Sequence, residues 1–261
     1  MMKFGKKASV LILAVIMVMS FAGCSQFGKQ TIDEKAVVIT VDDVKVTAGL
    51  VNFWARNAQS IYEGYYSQSG TNPWIQEIER GQTYEDMMKD EVAKEIQNLY
   101  LLEKHAEEYK ITLTDEELKA IDAAAEKFEK ANSEDAKDKV SAKKEYAVEY
   151  LRLLTLQEKL YDSLEAKHLE EAGKDSKDTE AAKKIAEEKA NEEYNSLIEK
   201  WRKSAKLTLD EKVWKQIDFQ ALQVMPIYDE PEKEDSKTDK ESTDTTQTDK
   251  QETDTKTETQ K

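Results

Sequence analysis

TYEDMMKDEVAKEIQNLYLLEKHAEEYKITLTDEE, residues 83–117, is the stretch on which the fold turns. Met88, Val92, Ile96, Leu99, Leu102, Ala106 and Tyr109 recur every three or four residues and lay one apolar face along a helix. Thr83 with Asp86 has the form of a capping box, Asp standing for the usual Glu, and sets the start of that helix. After a brief extended link at Ile111 to Leu113, Thr114 to Glu117 forms a second capping box and opens another helix. Eight glycines and three prolines in 261 residues leave few turns, as a chain of long helices requires.

Working upstream, Leu50, Trp54, Ala58, Ile61 and Tyr65 mark a helix over about 48–67 with Thr47 as its N-cap. Before it, the β-branched run Ala36 to Val41, the Asp42-Asp43 turn and Val44 to Val46 predict a small hairpin. A loop through Trp74 and Gly81 joins this part to the opening stretch. Working downstream, Leu118, Ile121, Ala125 and Phe128 give the third helix a narrow seam. A fourth helix, from about 135 or 140 to 168, is lined by Tyr146, Tyr150, Leu153, Leu154, Leu160, Tyr161 and Leu164. A fifth, over 179–205, buries Ile185, Ala190, Tyr194, Leu197, Ile198 and Trp201. Leu207 and Leu209 alternate with Thr208 and Asp210, so a late strand follows, with a second strand or a short helix after it. The expected fold is mainly α, an elongated bundle of about five long helices with a small sheet from the N-terminal hairpin and a late strand. From Pro226 onward, Thr, Asp, Glu, Lys, Gln and Ser form an acidic tail that cannot offset its ordering entropy, and it reads as disordered.

The first residues carry a targeting signal. Lys3, Lys6 and Lys7 precede an apolar run from Ala8 to about Met19, shorter than the ~20 residues of a spanning helix. Phe21-Ala22-Gly23-Cys24 resembles a lipobox, which implies cleavage before Cys24 and acylation of that cysteine. Residues 1–23 then read as a signal peptide and 24–35 as a lipidated tether, on the extracytoplasmic face of a cell membrane. Cys24 is the sole cysteine, so an acylated protein has no thiol for a disulfide, a nucleophile or a zinc ligand. Avoidance of disulfides in an exported chain favours a Gram-positive-type surface.

A formal charge of −15, made more negative by loss of the three leader lysines, argues against nucleic acid as a partner. His105 and His168 stand far apart and outside any ligand spacing. The carboxylates come in helix-surface pairs such as Glu107-Glu108 and Glu192-Glu193, and no phosphate-binding loop or nucleophile elbow is present. No catalytic residue, metal, cofactor or small-molecule substrate is expected. What stands out is aromatic content near the first helix. Phe53 and Tyr66 fall off its apolar stripe and Trp74 sits beside a proline in the following loop. These rings either close over neighbouring helices or form an open surface for a protein partner. On the second reading Phe53, Tyr66 and Trp74 bind clients, and truncating them leaves stability nearly unchanged.

The hairpin, the Thr-capped helix, the Trp-containing loop and the long helix ending in Ala106, Ile111, Leu113 and Thr114 to Glu117 resemble the N-terminal domain of SurA/PrsA-type folding factors. The segment Tyr194 to Val213, with Trp201-Arg202-Lys203-Ser204-Ala205-Lys206-Leu207, resembles that family's closing helix and strand. The resemblance implies that Lys206 to Leu209 pairs with the hairpin at 36–46. It also implies a chaperone-like core of 36–113 with 190–225, and leaves 114–189 as a helical arm and 226–261 as the tail. Only Glu165 to about Glu188 stands where the family inserts a parvulin prolyl-isomerase domain. The expectation is a membrane-anchored lipoprotein that binds unfolded or partly folded exported proteins without isomerase activity. A scaffold or assembly lipoprotein with one fixed protein partner is the alternative.

Overall fold

β-branched residues and a tight acidic turn begin the ordered body as a hairpin, β1 (Val37–Val41) and β2 (Val44–Thr47). The computed structural model describes residues 31–66, 72–173 and 179–224, with the side chains of 65, 66, 173 and 179 excepted. The hairpin is followed by α1 (Ala48–Tyr66), a 3-10 turn at Pro73–Ile75 and a second small hairpin, β3 (Glu77–Glu79) with β4 (Gln82–Thr83). Next come α2 (Tyr84–His105), α3 (Asp115–Ala131), α4 (Glu134–Lys139), α5 (Lys144–Gly173) and α6 (Thr179–Ser204). The chain returns through β5 (Leu207–Leu209), α7 (Glu211–Trp214) and a 3-10 turn at Phe219–Ala221. The fold is mainly α with a small antiparallel sheet, as the periodicity requires. The hairpin β3–β4, in what reads as plain loop, and the separate short helix α4 are departures.

Both sequence caps form. Thr83 Oγ1 accepts from the Asp86 N–H at 3.2 Å, and the Asp86 carboxylate accepts from the Thr83 N–H at 2.9 Å. Thr114 and Glu117 exchange the same pair of bonds at 3.2 and 2.7 Å. Each box satisfies two of the amide donors that a helix start leaves open.

The late strand completes the sheet. β1 is central, with β2 on one side and β5 on the other, all antiparallel, and Ile39 and Val41 lie opposite Leu209 and Leu207. Asp42 fastens the corner. Its backbone takes φ 54°, its N–H donates to the Lys206 carbonyl at 2.8 Å, and its carboxylate accepts from the Lys206 N–H at 2.8 Å. The Lys104 ammonium of α2 lies 2.6 Å from the other Asp42 oxygen and holds that carboxyl below its usual range. A strand of three residues is unstable alone, and here it is anchored at both ends, since Asp210 N–H donates to the Val38 carbonyl at 2.7 Å.

The main apolar cluster draws on every long helix except α3. It includes Ile39 and Val41 of β1, Trp54 of α1, Ile96, Leu99 and Leu102 of α2, Leu153 and Leu160 of α5, and Ile198 and Trp201 of α6. A second cluster joins Phe53 to Ile121, Ala124 and Ala125 of α3 and to Ala147 and Leu151 of α5. Two seam positions expected inside, Leu118 and Ile185, stand 44% and 43% exposed.

Helix α1 is enclosed from Ala48 to Asn57, where every residue is buried. Its polar residues therefore need partners inside the protein. Arg56 donates through Nε to Asn52 Oδ1 at 3.1 Å, and through both terminal nitrogens to the Asp218 carbonyl at 3.3 Å. Gln59 donates to the Phe219 and Leu222 carbonyls at 2.9 and 2.7 Å, and Glu63 accepts from the Val224 N–H at 2.5 Å. From α2, Glu85 accepts from the Phe219 N–H at 3.0 Å and Lys89 donates to the Ile217 carbonyl at 2.7 Å. The returning segment 214–224 is thus held by its main chain, while Trp214, Ile217, Phe219, Leu222 and Val224 are buried.

Close approach of α5 to the first turn of α1 depends on Gly49. A Cβ there would lie 2.0 Å from the Tyr146 hydroxyl oxygen and 2.2 Å from its Cζ. Gly49→Ala is expected to destabilise the fold by about 1–3 kcal/mol, the range for overpacking a tight contact. Tyr146→Ala introduced beside it should recover part of that loss in denaturant unfolding. Losses that simply add in the double variant would show that the contact is not the cause.

Candidate functional site

Of the rings singled out in the sequence, Phe53 and Trp74 are not exposed. Phe53 is 4% exposed and meets Phe128 and Tyr150 edge-on at centroid distances of 5.6 and 5.7 Å. Trp74 is 2% exposed, lies against Tyr62 and Phe219 at 4.9 Å each, and donates its indole N–H to Glu63 Oε1 at 2.9 Å. The expectation of an open surface at these two rings is corrected, and the reason is topological. A helical wheel assigns one buried stripe per partner, whereas α1 is packed on several sides, so a ring off the main stripe is buried against α3 and α5. The Tyr66 side chain and Cys24 lie outside the described residues, as do the leader and the tail.

Both histidines have structural partners. His105 stacks on Trp201 with centroids 4.7 Å apart and planes 5° from parallel, and its Nδ1 is 2.7 Å from Glu108. His168 lies between Glu193 at 2.7 Å and Glu171 at 3.2 Å. Among the described residues no group of three or more His, Cys, Asp or Glu side chains could hold a metal ion. An open hollow of about 930 Å³ between residues 31–35 and the start of α5 is polar, and its central charge is matched internally, with Glu34 2.5 Å from Lys143 and 2.8 Å from Ser141.

A different set of groups gathers where α1, α2, α5 and α6 meet. Trp54 of α1 donates its indole N–H to Glu95 Oε2 of α2 at 3.0 Å, and its ring meets Tyr150 of α5 at 4.4 Å. Asn57 donates to the Tyr150 hydroxyl at 2.9 Å, and Gln157 of α5 donates to the Tyr194 hydroxyl of α6 at 2.7 Å. Burial pushes the Tyr150 and Tyr194 hydroxyls up, and in both cases the Glu95 carboxylate adds to the effect. The three side chains therefore share one electrostatic neighbourhood.

This neighbourhood is open to water. Tyr150, Leu154, Gln157 and Tyr161 follow one stripe of α5 and are each half-buried, as are Tyr194 and Leu197 on α6. On α1 the stripe of Trp54 continues through half-buried Ala58 to Ile61, which is 42% exposed. Glu95 keeps solvent contact, yet the protein atoms around its carboxyl raise it above the usual carboxylate range by desolvation, and Glu91 adds to the shift. Half-buried side chains on three helices, beside a carboxylate that is open to water and tied to Trp54, outline a shallow recess. It offers aromatic faces, amide groups and one carboxylate, which suit non-covalent binding of an apolar or amphipathic chain. In the sequence Tyr150 and Tyr194 read as ordinary core positions, and Glu95 beside Ile96 is indistinguishable from other helix carboxylates.

The buried placement of Phe53 and Trp74 has a measurable consequence. Phe53→Ala and Trp74→Ala should each cost about 3–5 kcal/mol of stability, as truncation of a large buried aromatic does, read from chemical denaturation. A cost under about 0.5 kcal/mol, usual for surface substitutions, would return these rings to the surface.

No curated protein and no solved structure matches the chain. A family model described as the SurA-like N-terminal domain matches residues 1–139, more than half of the chain, and the protein belongs to that family.

Proposed function

We propose that this protein is a membrane-anchored, extracytoplasmic chaperone-like lipoprotein that binds unfolded or partly folded exported proteins and does not isomerise prolines. Membership of the SurA-like N-terminal domain family supports a chaperone-type role in protein folding. The observation that carries the reading to a surface is the recess, where Tyr150 and Tyr194 are only half-buried while their hydroxyls stay hydrogen-bonded. Rings held in this way offer large apolar contact with little rotamer freedom left to lose. That suits a site that accepts many sequences. The acidic exterior, with 54 acidic against 39 basic residues, keeps a loaded complex soluble.

The remaining parts have roles in the same proposal. Residues 1–23 direct export, Cys24 carries the lipid, and 24–35 tether the body to the outer face of the membrane. The lipobox-like run Phe21 to Cys24 makes a lipid the proposed anchor, and among the described residues no helix is long and apolar enough to cross a membrane. Residues 36–113 and 190–225 form the client-handling core, 114–189 a helical arm, and 226–261 a solvating acidic tail. Absence of isomerase activity is proposed because the described residues between 165 and 188 are helical, on α5 and α6, and form no sheet-based pocket of the parvulin kind.

Lipid-free protein is expected to slow the aggregation of several unrelated unfolded proteins, measured by light scattering. Ile61→Ser with Tyr194→Ser should weaken that protection for all of them while circular dichroism stays native. Undiminished protection by this variant would place the binding surface elsewhere, and protection of one client alone would favour a scaffold with a fixed partner. For the anchor, Cys24→Ala should abolish membrane retention and fatty-acid labelling. Full retention of the unlabelled variant would overturn lipidation at this residue.

A further inference from the structure

We propose, building on the chaperone reading above, that the recess selects extended client segments in which a lysine or arginine stands beside apolar residues, the cation meeting Glu95. Glu95 Oε2 accepts the Trp54 indole N–H at 3.0 Å, which ties the carboxylate to a ring that meets Tyr150 at 4.4 Å. Among the described residues no lysine, arginine or histidine forms an ion pair with it. The charged side chain that does act on it is Glu91, of the same sign.

Covering the recess makes this carboxylate decisive. An apolar segment laid over Tyr150, Tyr194 and Ile61 removes the water that Glu95 retains. A neutral segment then leaves a desolvated carboxylate with the Trp54 N–H but no countercharge, which is costly. A segment carrying an ammonium or guanidinium supplies a charge-assisted hydrogen bond at that point. The same cation meets the negative faces of the tyrosine rings, an arrangement that favours binding most where water is excluded. A bare divalent cation is a poorer occupant, because a single carboxylate falls far short of the six or more oxygens that such ions take. An acidic segment is repelled. The chemistry on offer is thus aromatic side chains beside a single carboxylate, and its complement is a basic residue within an apolar stretch.

The test uses the full chain in mild detergent and two fluorescent peptides of extended apolar sequence. They are identical except for one central residue, lysine in the first and norleucine in the second. The lysine peptide is expected to bind about tenfold more tightly, the size of one net charge-assisted hydrogen bond. Glu95→Gln keeps an oxygen for the Trp54 N–H and should bring the lysine peptide down to the norleucine level without affecting the latter. Equal binding of both peptides by the parent protein would overturn the selection and leave the chaperone reading intact. A lysine preference that survives in Glu95→Gln would overturn the assignment to this carboxylate. Binding of neither peptide would overturn both the selection and the recess as a client site. The comparison of the two peptides on the parent protein needs no variant, so it stands even if Glu95→Gln folds poorly.

Discussion

A polar ladder inside the protein, Asn52, Arg56, Gln59 and Glu63 on α1, is the constraint on which the rest of the fold depends. Burial holds the Arg56 guanidinium down to about 10, against the opposing pull of Asp218, Glu85 and Glu63. A charge in such a place is tolerated because its donors are used, and removing a partner of a buried charge typically costs about 3–5 kcal/mol. The partners are the main-chain carbonyls of 218, 219 and 222 and the amide of 224. Helix α1 can therefore be enclosed only when the last described segment lies along it. The protein closes on itself with residues 160 positions apart in the chain.

That closure organises the layers around it. With 214–224 in place on one side of α1, α3 and α5 cover another through Phe53, and α2 covers a third through Trp54 and Glu95. The same return brings Leu207–Leu209 beside β1, where Asp42 binds Lys206 and Lys104 at once. The residues matched by the family model end at 139, yet the sheet and the α1 ladder are completed by residues beyond 200. The matched region supplies the scaffold, and the second half of the chain supplies its cover.

The recess is a by-product of this packing. At the border of the packed core the stripes of α1, α5 and α6 pass from buried to half-buried. Tyr150 and Tyr194 are suited to that border because the ring favours an apolar neighbour and the hydroxyl a polar one. A binding surface of this kind is built from residues that look like core in every local respect.

Much of the architecture was legible in the sequence because its signals are local. The starts at Thr83 and Thr114 are set by side chains reaching three residues, and helix identity by spacings of three and four, so neither needs tertiary information. The pairing of Leu207–Leu209 with the hairpin was legible through the family pattern. Exposure was not. Phe53 and Trp74 are core, and Leu118 and Ile185 are surface, because a periodic pattern tells which residues share a face but not how many neighbours that face meets. The polar residues of α1 were equally silent, since Arg56 in a helix reads as solvated until its acceptor, 162 positions away, is in place. Sequence alone determined the long helices, the two capped starts and the family. Tertiary structure decided which faces are covered and where they part, because burial depends on contacts between distant segments that local spacing does not encode.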